Sequence, residues 1–202
     1  MAGSNRGLSA GHGRRRARPS FPDRWDLTHL AKDPVRQLDR LLTDLDTTVT
    51  RIEAARPRLS PAMSSEEFRT LLTLTETVAE NTSRIGAFAY LWFSENTTHA
   101  QARSFKSRVE ERLTALNNRL LFFELWWQSV DENNASRLMT DAGDLRYHLE
   151  TIRRFKPHTL SEPEEKIINI KNVTGRTAVH TLYDVVTNGL TFTVTVAGKR
   201  KQ

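Results

Sequence analysis

The fold of this chain is decided near its C-terminal end, by the stretch Leu160-Ser161-Glu162-Pro163-Glu164-Glu165-Lys166 and the run Leu190-Thr191-Phe192-Thr193-Val194-Thr195-Val196. In the first stretch, Ser161 predicts a helix N-cap, and Glu164 can accept a hydrogen bond from the backbone N–H of Ser161. Pro163 falls in the first turn of that helix, where its missing N–H has no partner to lose. The second run alternates apolar side chains with threonines, which predicts a half-buried β-strand.

Only six residues, 197–202, follow this predicted strand. A strand must pair its backbone N–H and C=O groups and must bury its apolar face. The sequence identifies no partner for it, so we predict one terminal strand or a hairpin. We therefore expect the chain to be a truncated part of a larger protein.

The composition is that of a globular, helix-rich chain. Of its 202 residues, 38% are apolar and 27% are charged, and none is cysteine. The apolar fraction is adequate for a core. The lack of cysteine excludes disulfides, thiolate metal sites and thiol catalysis. No window approaches the roughly 18 apolar residues of a membrane span, so we predict no membrane partner.

The net charge of +6 is concentrated at the two ends of the chain. Eight basic residues lie there: Arg6, Arg14, Arg15, Arg16, Arg18, Lys199, Arg200 and Lys201. The remainder carries 22 basic and 24 acidic side chains. A nucleic-acid site would place Lys and Arg within folded elements, so we predict no nucleic-acid partner. A nucleic-acid binder that uses only its basic tails is an alternative.

The chain divides into three predicted segments. Residues 1–22 are expected to be a disordered basic tail, because they are rich in Gly, Ser and Arg and contain almost no large apolar side chain. Residues 23–156 are expected to form a helical N-terminal lobe, and residues 157–202 the capping-box helix, a second helix and the terminal strand. The tail has no apolar stretch typical of a secretory signal, although its composition weakly resembles a transit peptide. We expect a cytoplasmic location.

The lobe is predicted to be mainly α, a multi-helix antiparallel bundle. Apolar residues at helical spacing predict helices over about 34–56, from 64 to 78 with a further stretch over 85–92, over 99–129, and in two shorter segments between 131 and 157. Asp33 and Ser64 supply the first two N-caps.

One ambiguity follows Gly175, which is expected to stop the capping-box helix. The four residues Val179, Leu182, Tyr183 and Val186 have the complete i, i+3, i+4, i+7 spacing of a helix. The pair Asn188-Gly189 is also a strong hairpin signal, which would make the preceding residues a strand. We favour the helix because its spacing is complete.

The sequence contains no predicted catalytic, cofactor-binding or metal-binding residue. None of the six histidines stands in the His-Glu-x-x-His pattern of zinc hydrolases: His12, His29, His99, His148, His158 and His180. The acidic residues at 162–165 are explained by the preference of a helix N-terminus for carboxylates. The Trp126-Trp127 pair could line a ligand site, but it follows an apolar stripe and is predicted to be a buried anchor.

The segment Pro157-His158-Thr159-Leu160-Ser161-Glu162-Pro163-Glu164-Glu165-Lys166-Ile167 resembles the N-terminal half of oligoendopeptidase F and its relatives among the thimet-oligopeptidase-like zinc metallopeptidases. The pair Thr174-Gly175, the helix over 178–186 and the strand over 190–198 continue the resemblance. The opening Trp25-Asp26-Leu27 resembles the start of the family. The similarity covers about residues 21–198.

The resemblance implies a mostly helical metallopeptidase with a channel between two lobes. In the complete family enzyme, zinc held by a His-Glu-x-x-His motif and a downstream Glu would hydrolyse short peptides. Those residues lie later in the family sequence, and this chain ends before them. The resemblance therefore implies an N-terminal segment that holds no zinc, is inactive by itself, forms part of the channel wall and associates with the catalytic part. The alternative is a stand-alone helical interaction module that presents Trp126-Trp127 to a partner.

Overall fold

A computed structural model describes residues 25–30, 32–197 and 199–201. The predicted disordered tail, residues 1–22, lies outside these described residues. The described part of the chain forms α1 (Pro34–Glu53), α2 (Ser65–Glu95), α3 (Ala100–Ser129), α4 (Glu132–Leu138), α5 (Arg146–Arg154), α6 (Glu162–Asn172), α7 (Ala178–Asn188) and two strands, β1 (Val194–Val196) and β2 (Lys199–Lys201). The predicted mainly α fold is confirmed.

The two longest helices, α2 and α3, form an antiparallel hairpin. Phe68 near the start of α2 stacks on Trp127 near the end of α3, with ring centroids 5.0 Å apart. At the other end of the pair, Trp92 contacts Phe105 edge-on, with centroids 5.5 Å apart. Because early residues of α2 meet late residues of α3, the two helices run in opposite directions.

Helix α1 packs against both members of this hairpin. Its buried side chains recur every three or four residues, as predicted: Leu38, Leu42, Leu45, Val49 and Ile52. An ion pair supports the apolar contact, because Arg119 of α3 donates to the Glu53 carboxylate of α1 at 2.6 Å. The hydrogen bond from Arg119 is the main cause that lowers the pKa of Glu53.

Helices α4 and α5 cover the end of the α2–α3 hairpin that contains the tryptophan pair. Trp127 is fully buried, and its indole N–H donates to the backbone carbonyl of Leu149 at 3.0 Å. Trp126 is partly buried against the same core. The pair is therefore the predicted buried anchor.

Two predictions for the C-terminal end are wrong. Gly175 does not stop a helix, because it lies in a π-helical turn, Val173–Thr177, that joins α6 to α7. The strand is also shorter than predicted, Val194–Val196, but it pairs antiparallel with Lys199–Lys201, which is the hairpin that the prediction gave as an alternative to a lone strand. A tight hairpin needs only a few residues to satisfy the strand's backbone groups, which is why the short remainder of the chain suffices.

Other boundaries follow the sequence closely. The stretches predicted over 64–78 and 85–92 belong to one continuous helix, Ser65–Glu95. The region before Asn188-Gly189 is helical, as favoured over the hairpin. None of the helices in the described part of the chain has the length and apolar character needed to cross a membrane.

Replacing Trp127 with alanine should lower the free energy of unfolding by about 3–5 kcal/mol, because it removes a fully buried aromatic side chain. Trp25→Ala is the control, since Trp25 is 60% exposed. Its effect should stay within about 0.5 kcal/mol. Urea denaturation monitored by circular dichroism measures both. Equal effects of the two substitutions would contradict the anchoring role of Trp127.

Candidate interaction surface

The capping box that the sequence predicts begins the last helical segment. The backbone N–H of Ser161 donates to the Glu164 carboxylate at 2.9 Å, and the Ser161 hydroxyl donates to the same oxygen at 2.5 Å. Both hydrogen bonds lower the pKa of Glu164, and the one from the Ser161 hydroxyl has the larger effect. The carboxylates of this region therefore serve the start of a helix and do not form an acid/base pair.

From this cap, α6, the π turn and α7 continue as one helical segment over residues 162–188, which we call the terminal rod. At about 1.5 Å per residue the terminal rod is about 40 Å long. It lies against α3. All of its residues are described, and none of them is fully buried.

The side of the terminal rod that faces the bundle is mostly polar. Its half-buried residues include Glu162, Lys166, Asn169, Val173, Thr177, Thr181 and Asp184. An apolar seam normally holds a surface helix to its core. The terminal rod departs from that pattern, and specific hydrogen bonds and ion pairs attach it to the bundle.

One attachment is made by Lys106, whose side chain is only 7% exposed. Its ammonium donates to the Thr181 hydroxyl of α7 at 3.1 Å and pairs with Glu110 of α3 at 2.7 Å. The charge also lies 5.3 Å from the ring centroid of Phe93. Lys106 thus ties α7 to α3 while its own charge is compensated.

A second attachment joins α6 to the middle of α3 through two amides. Buried Asn118 accepts a hydrogen bond from the side chain of Asn169 at 2.8 Å and donates to the backbone carbonyl of Lys166 at 3.4 Å. Because an amide both donates and accepts, this pair fixes the position of α6 along α3.

A third attachment lies at the start of the terminal rod. Arg56 pairs with Glu162 at 2.7 Å, and Lys166 pairs with the same carboxylate at 2.6 Å. The hydrogen bond from Lys166, followed by that from Arg56, lowers the pKa of Glu162. The Glu162 carboxylate therefore joins the terminal rod to the segment that follows α1.

The opposite side of the terminal rod is apolar and exposed to solvent. Its exposed large side chains are Ile167, Ile168, Ile170, Val179, Leu182, Tyr183 and Val186. After the rod, Leu190, Phe192 and Val194 are also more than half exposed. We call these ten side chains the outer face. Leu190, Phe192 and Val194 of the predicted strand face are thus not buried within the described part of the chain, and an exposed apolar patch of this kind is typical of an interaction site.

The other residues considered from the sequence have structural or surface positions. His99 is the N-cap of α3, where its Nδ1 accepts a hydrogen bond from the backbone N–H of Ala102 at 3.2 Å. His148 lies on α5, and His12 lies outside the described residues. Within the described ranges, no three His, Asp or Glu side chains come together as metal ligands would.

Sequence reasoning missed the two polar anchors on α3, Lys106 and Asn118. A signal for Lys106 exists, because it stands four residues after Ala102 and three before Val109, on the apolar stripe. A charged residue at such a position is expected to be buried with a partner. The partner, Thr181, is 75 residues away and cannot be identified from spacing.

This geometry defines a helical lobe whose terminal rod is attached through polar contacts and has an exposed apolar outer face. Residues 126–192, about a third of the chain, match the family model described as oligopeptidase F, which represents the N-terminal region of that family. Neither the curated proteins nor the solved structures gave a match. The matched residues are similar to the N-terminal portion of the oligopeptidase F family, and they include the stretch 157–167 that carries the resemblance in the sequence.

Acid should loosen the start of the terminal rod. Folding lowers the pKa of the Glu162 carboxyl, so its ion pairs stabilise the fold at any pH above the ordinary pKa of a glutamate. This stabilisation is lost as the pH falls through the lowered pKa of the folded state. The protection of the amides in residues 162–172, after correction for the slower intrinsic exchange in acid, should therefore fall on acidification. In Glu162→Gln this extra pH dependence should be reduced, and Glu164, whose pKa is also lowered, accounts for what remains.

Glu80→Gln is the matched control, because it removes an exposed i,i+4 ion pair with Arg84 on α2. It should leave the exchange of residues 162–172 unchanged. The same extra pH dependence in wild type and Glu162→Gln would contradict the role of this carboxylate.

Proposed function

We propose that this chain is the non-catalytic N-terminal helical segment of an oligoendopeptidase F-like zinc metallopeptidase, in which the outer face docks against the catalytic part. The proposal rests on the observation that the polar and apolar sides of the terminal rod are placed opposite to those of an ordinary surface helix. Its polar side meets the bundle and its apolar side meets solvent. The family match over residues 126–192 includes this rod and supports the assignment.

The family's zinc does not fit the residues of this chain. The complete sequence contains no His-Glu-x-x-His, and the described residues hold no cluster of three metal-ligand side chains. A hydrolytic zinc needs about three protein ligands and an open position. We therefore place the zinc and the hydrolysis of short peptides in the catalytic part, and we give this chain the role of a channel wall in a cytoplasmic enzyme.

The outer face suits docking because its exposed side chains on α7 form a row along one side of the helix. Residues 179, 182, 183 and 186 recur at the spacing with which an amphipathic helix enters an apolar groove. Burying one such side chain contributes roughly 1.5–3 kcal/mol to association before the ordering costs are subtracted. Several of them together are enough for a stable contact.

The docking surface is tested with the catalytic portion of an oligopeptidase F family enzyme, produced as a separate polypeptide and mixed with this chain. Sedimentation velocity should show a complex. Tyr183→Glu should weaken it at least tenfold, because it places a charge in an apolar contact. Tyr90→Glu is the matched control, since Tyr90 is 55% exposed on α2 and Tyr183 is 66% exposed on the outer face.

The docking proposal fails if the two polypeptides do not associate, or if Tyr183→Glu and Tyr90→Glu weaken the complex equally. Circular dichroism of each variant shows whether the helices are retained. A variant that keeps its helices and loses the complex identifies the outer face as the contact.

The absence of catalysis by the chain alone is tested with metal analysis and a quenched fluorescent peptide. We expect no stoichiometric zinc and no hydrolysis above the buffer rate. Tight zinc together with peptide cleavage by the purified chain would overturn the non-catalytic role.

The exposed outer face also favours a second candidate, a stand-alone helical interaction module. Trp127 is buried, so the partner would contact the outer face and not the tryptophan pair. A purified chain that is monodisperse and unfolds cooperatively favours this module, whereas aggregation through the outer face favours a segment that needs its catalytic part.

A further inference from the structure

A cleft of about 620 Å³ opens between α2, α3 and α5, with Asn169 of the terminal rod at its edge. This volume lies within the range of small-molecule sites, roughly 300–1,000 Å³. The cleft has an apolar floor formed by Leu72, Val78, Leu120, Phe123, Leu149 and Ile152. The floor is large enough for an apolar group of a few carbon atoms or one aromatic ring.

The carboxylate of Glu124 lines the cleft next to Phe123 of the floor. Among the described residues it makes no hydrogen bond and no ion pair, although solvent still reaches it through the cleft mouth. The side chain is exposed at the cleft, but neighbouring protein atoms desolvate it in part, which raises its pKa, and the charge of His148 acts in the opposite direction. A partly desolvated and unpaired carboxylate is a group that a cation would stabilise.

The charges around Glu124 favour a cationic ligand. The lining contains Glu76 of α2, Glu124 of α3 and His148 of α5, but no Lys or Arg. Glu165 of α6 adds a further negative charge near Glu124. The amides of Asn117 and Asn169 add hydrogen-bonding groups at the rim. No Lys or Arg of the lining competes for the Glu124 carboxylate.

We propose that this cleft binds a small ligand that carries a primary ammonium group on an apolar body. The ammonium pairs with the Glu124 carboxylate, and the apolar body lies on the floor formed by the leucine and aromatic side chains. This site is separate from the outer face and does not depend on the proposed function. It requires no metal and no chemical step.

The test uses the full chain with phenethylamine as the probe and 2-phenylethanol, its neutral counterpart, as the comparison ligand. Calorimetric titration at neutral pH should show saturable binding of the amine, at least tenfold tighter than that of the alcohol. Glu124→Gln should weaken the amine about tenfold and leave the alcohol unchanged, because hydrogen bonds to charged groups are the stronger ones.

Two further variants complete the experiment. Glu111→Gln is the matched control on the same helix, since Glu111 is exposed and does not line the cleft, and it should bind the amine like the wild type. Ala79→Trp, which fills the cleft from α2, should weaken both ligands. Weaker binding of both ligands to Ala79→Trp would place the binding site in the cleft even if Glu124→Gln disturbed the fold.

Amine binding should weaken as pH falls, because protonation of Glu124 removes the negative charge. The raised pKa of this group places that loss above the range of an ordinary glutamate. Glu76, Glu165 and His148 also face the cleft or Glu124, so Glu124→Gln must flatten the pH profile for the assignment to hold. Equal affinity for amine and alcohol, no saturable amine binding, or an unchanged profile in Glu124→Gln would each overturn the proposal.

Discussion

Two polar side chains buried on α3, Lys106 and Asn118, hold the terminal rod in its position. A buried ammonium or amide is costly unless its hydrogen bonds are made. Lys106 obtains them from Glu110 and Thr181, and Asn118 obtains them from α6. The terminal rod therefore occupies the position that satisfies these two groups, and apolar burial has little part in placing it.

The outer face is a consequence of that polar attachment. Because the polar side of the terminal rod is used against the bundle, its apolar side is left toward solvent. Polar contacts specify a position well, but each adds only about 0.5–1.5 kcal/mol of net stability. The rod is thus expected to open more readily than α2 and α3, which are joined by stacked aromatic rings. A partner that covers the outer face would supply the missing apolar burial.

Much of the fold could be predicted from the sequence because its signals are local. The caps at Asp33, Ser64 and Ser161 give three helix starts within a residue. The stop at Gly175 was wrong because a glycine ends a helix chiefly through a left-handed backbone, and this glycine stays within a helical turn. The candidate sites could not be predicted in the same way. Periodicity shows that residues 179–186 share a face, but it does not show whether that face turns toward the bundle.

The matched segment, residues 126–192, joins two parts that differ in burial. Its first part contains Trp127, Leu138 and Leu149, which the core of this chain explains. Its second part contains the terminal rod, whose outer-face side chains no described residue buries. Apolar side chains at helical spacing are stable in water only when something covers them. In the proposed function the catalytic part supplies this cover, through an apolar surface complementary to a helix about 40 Å long.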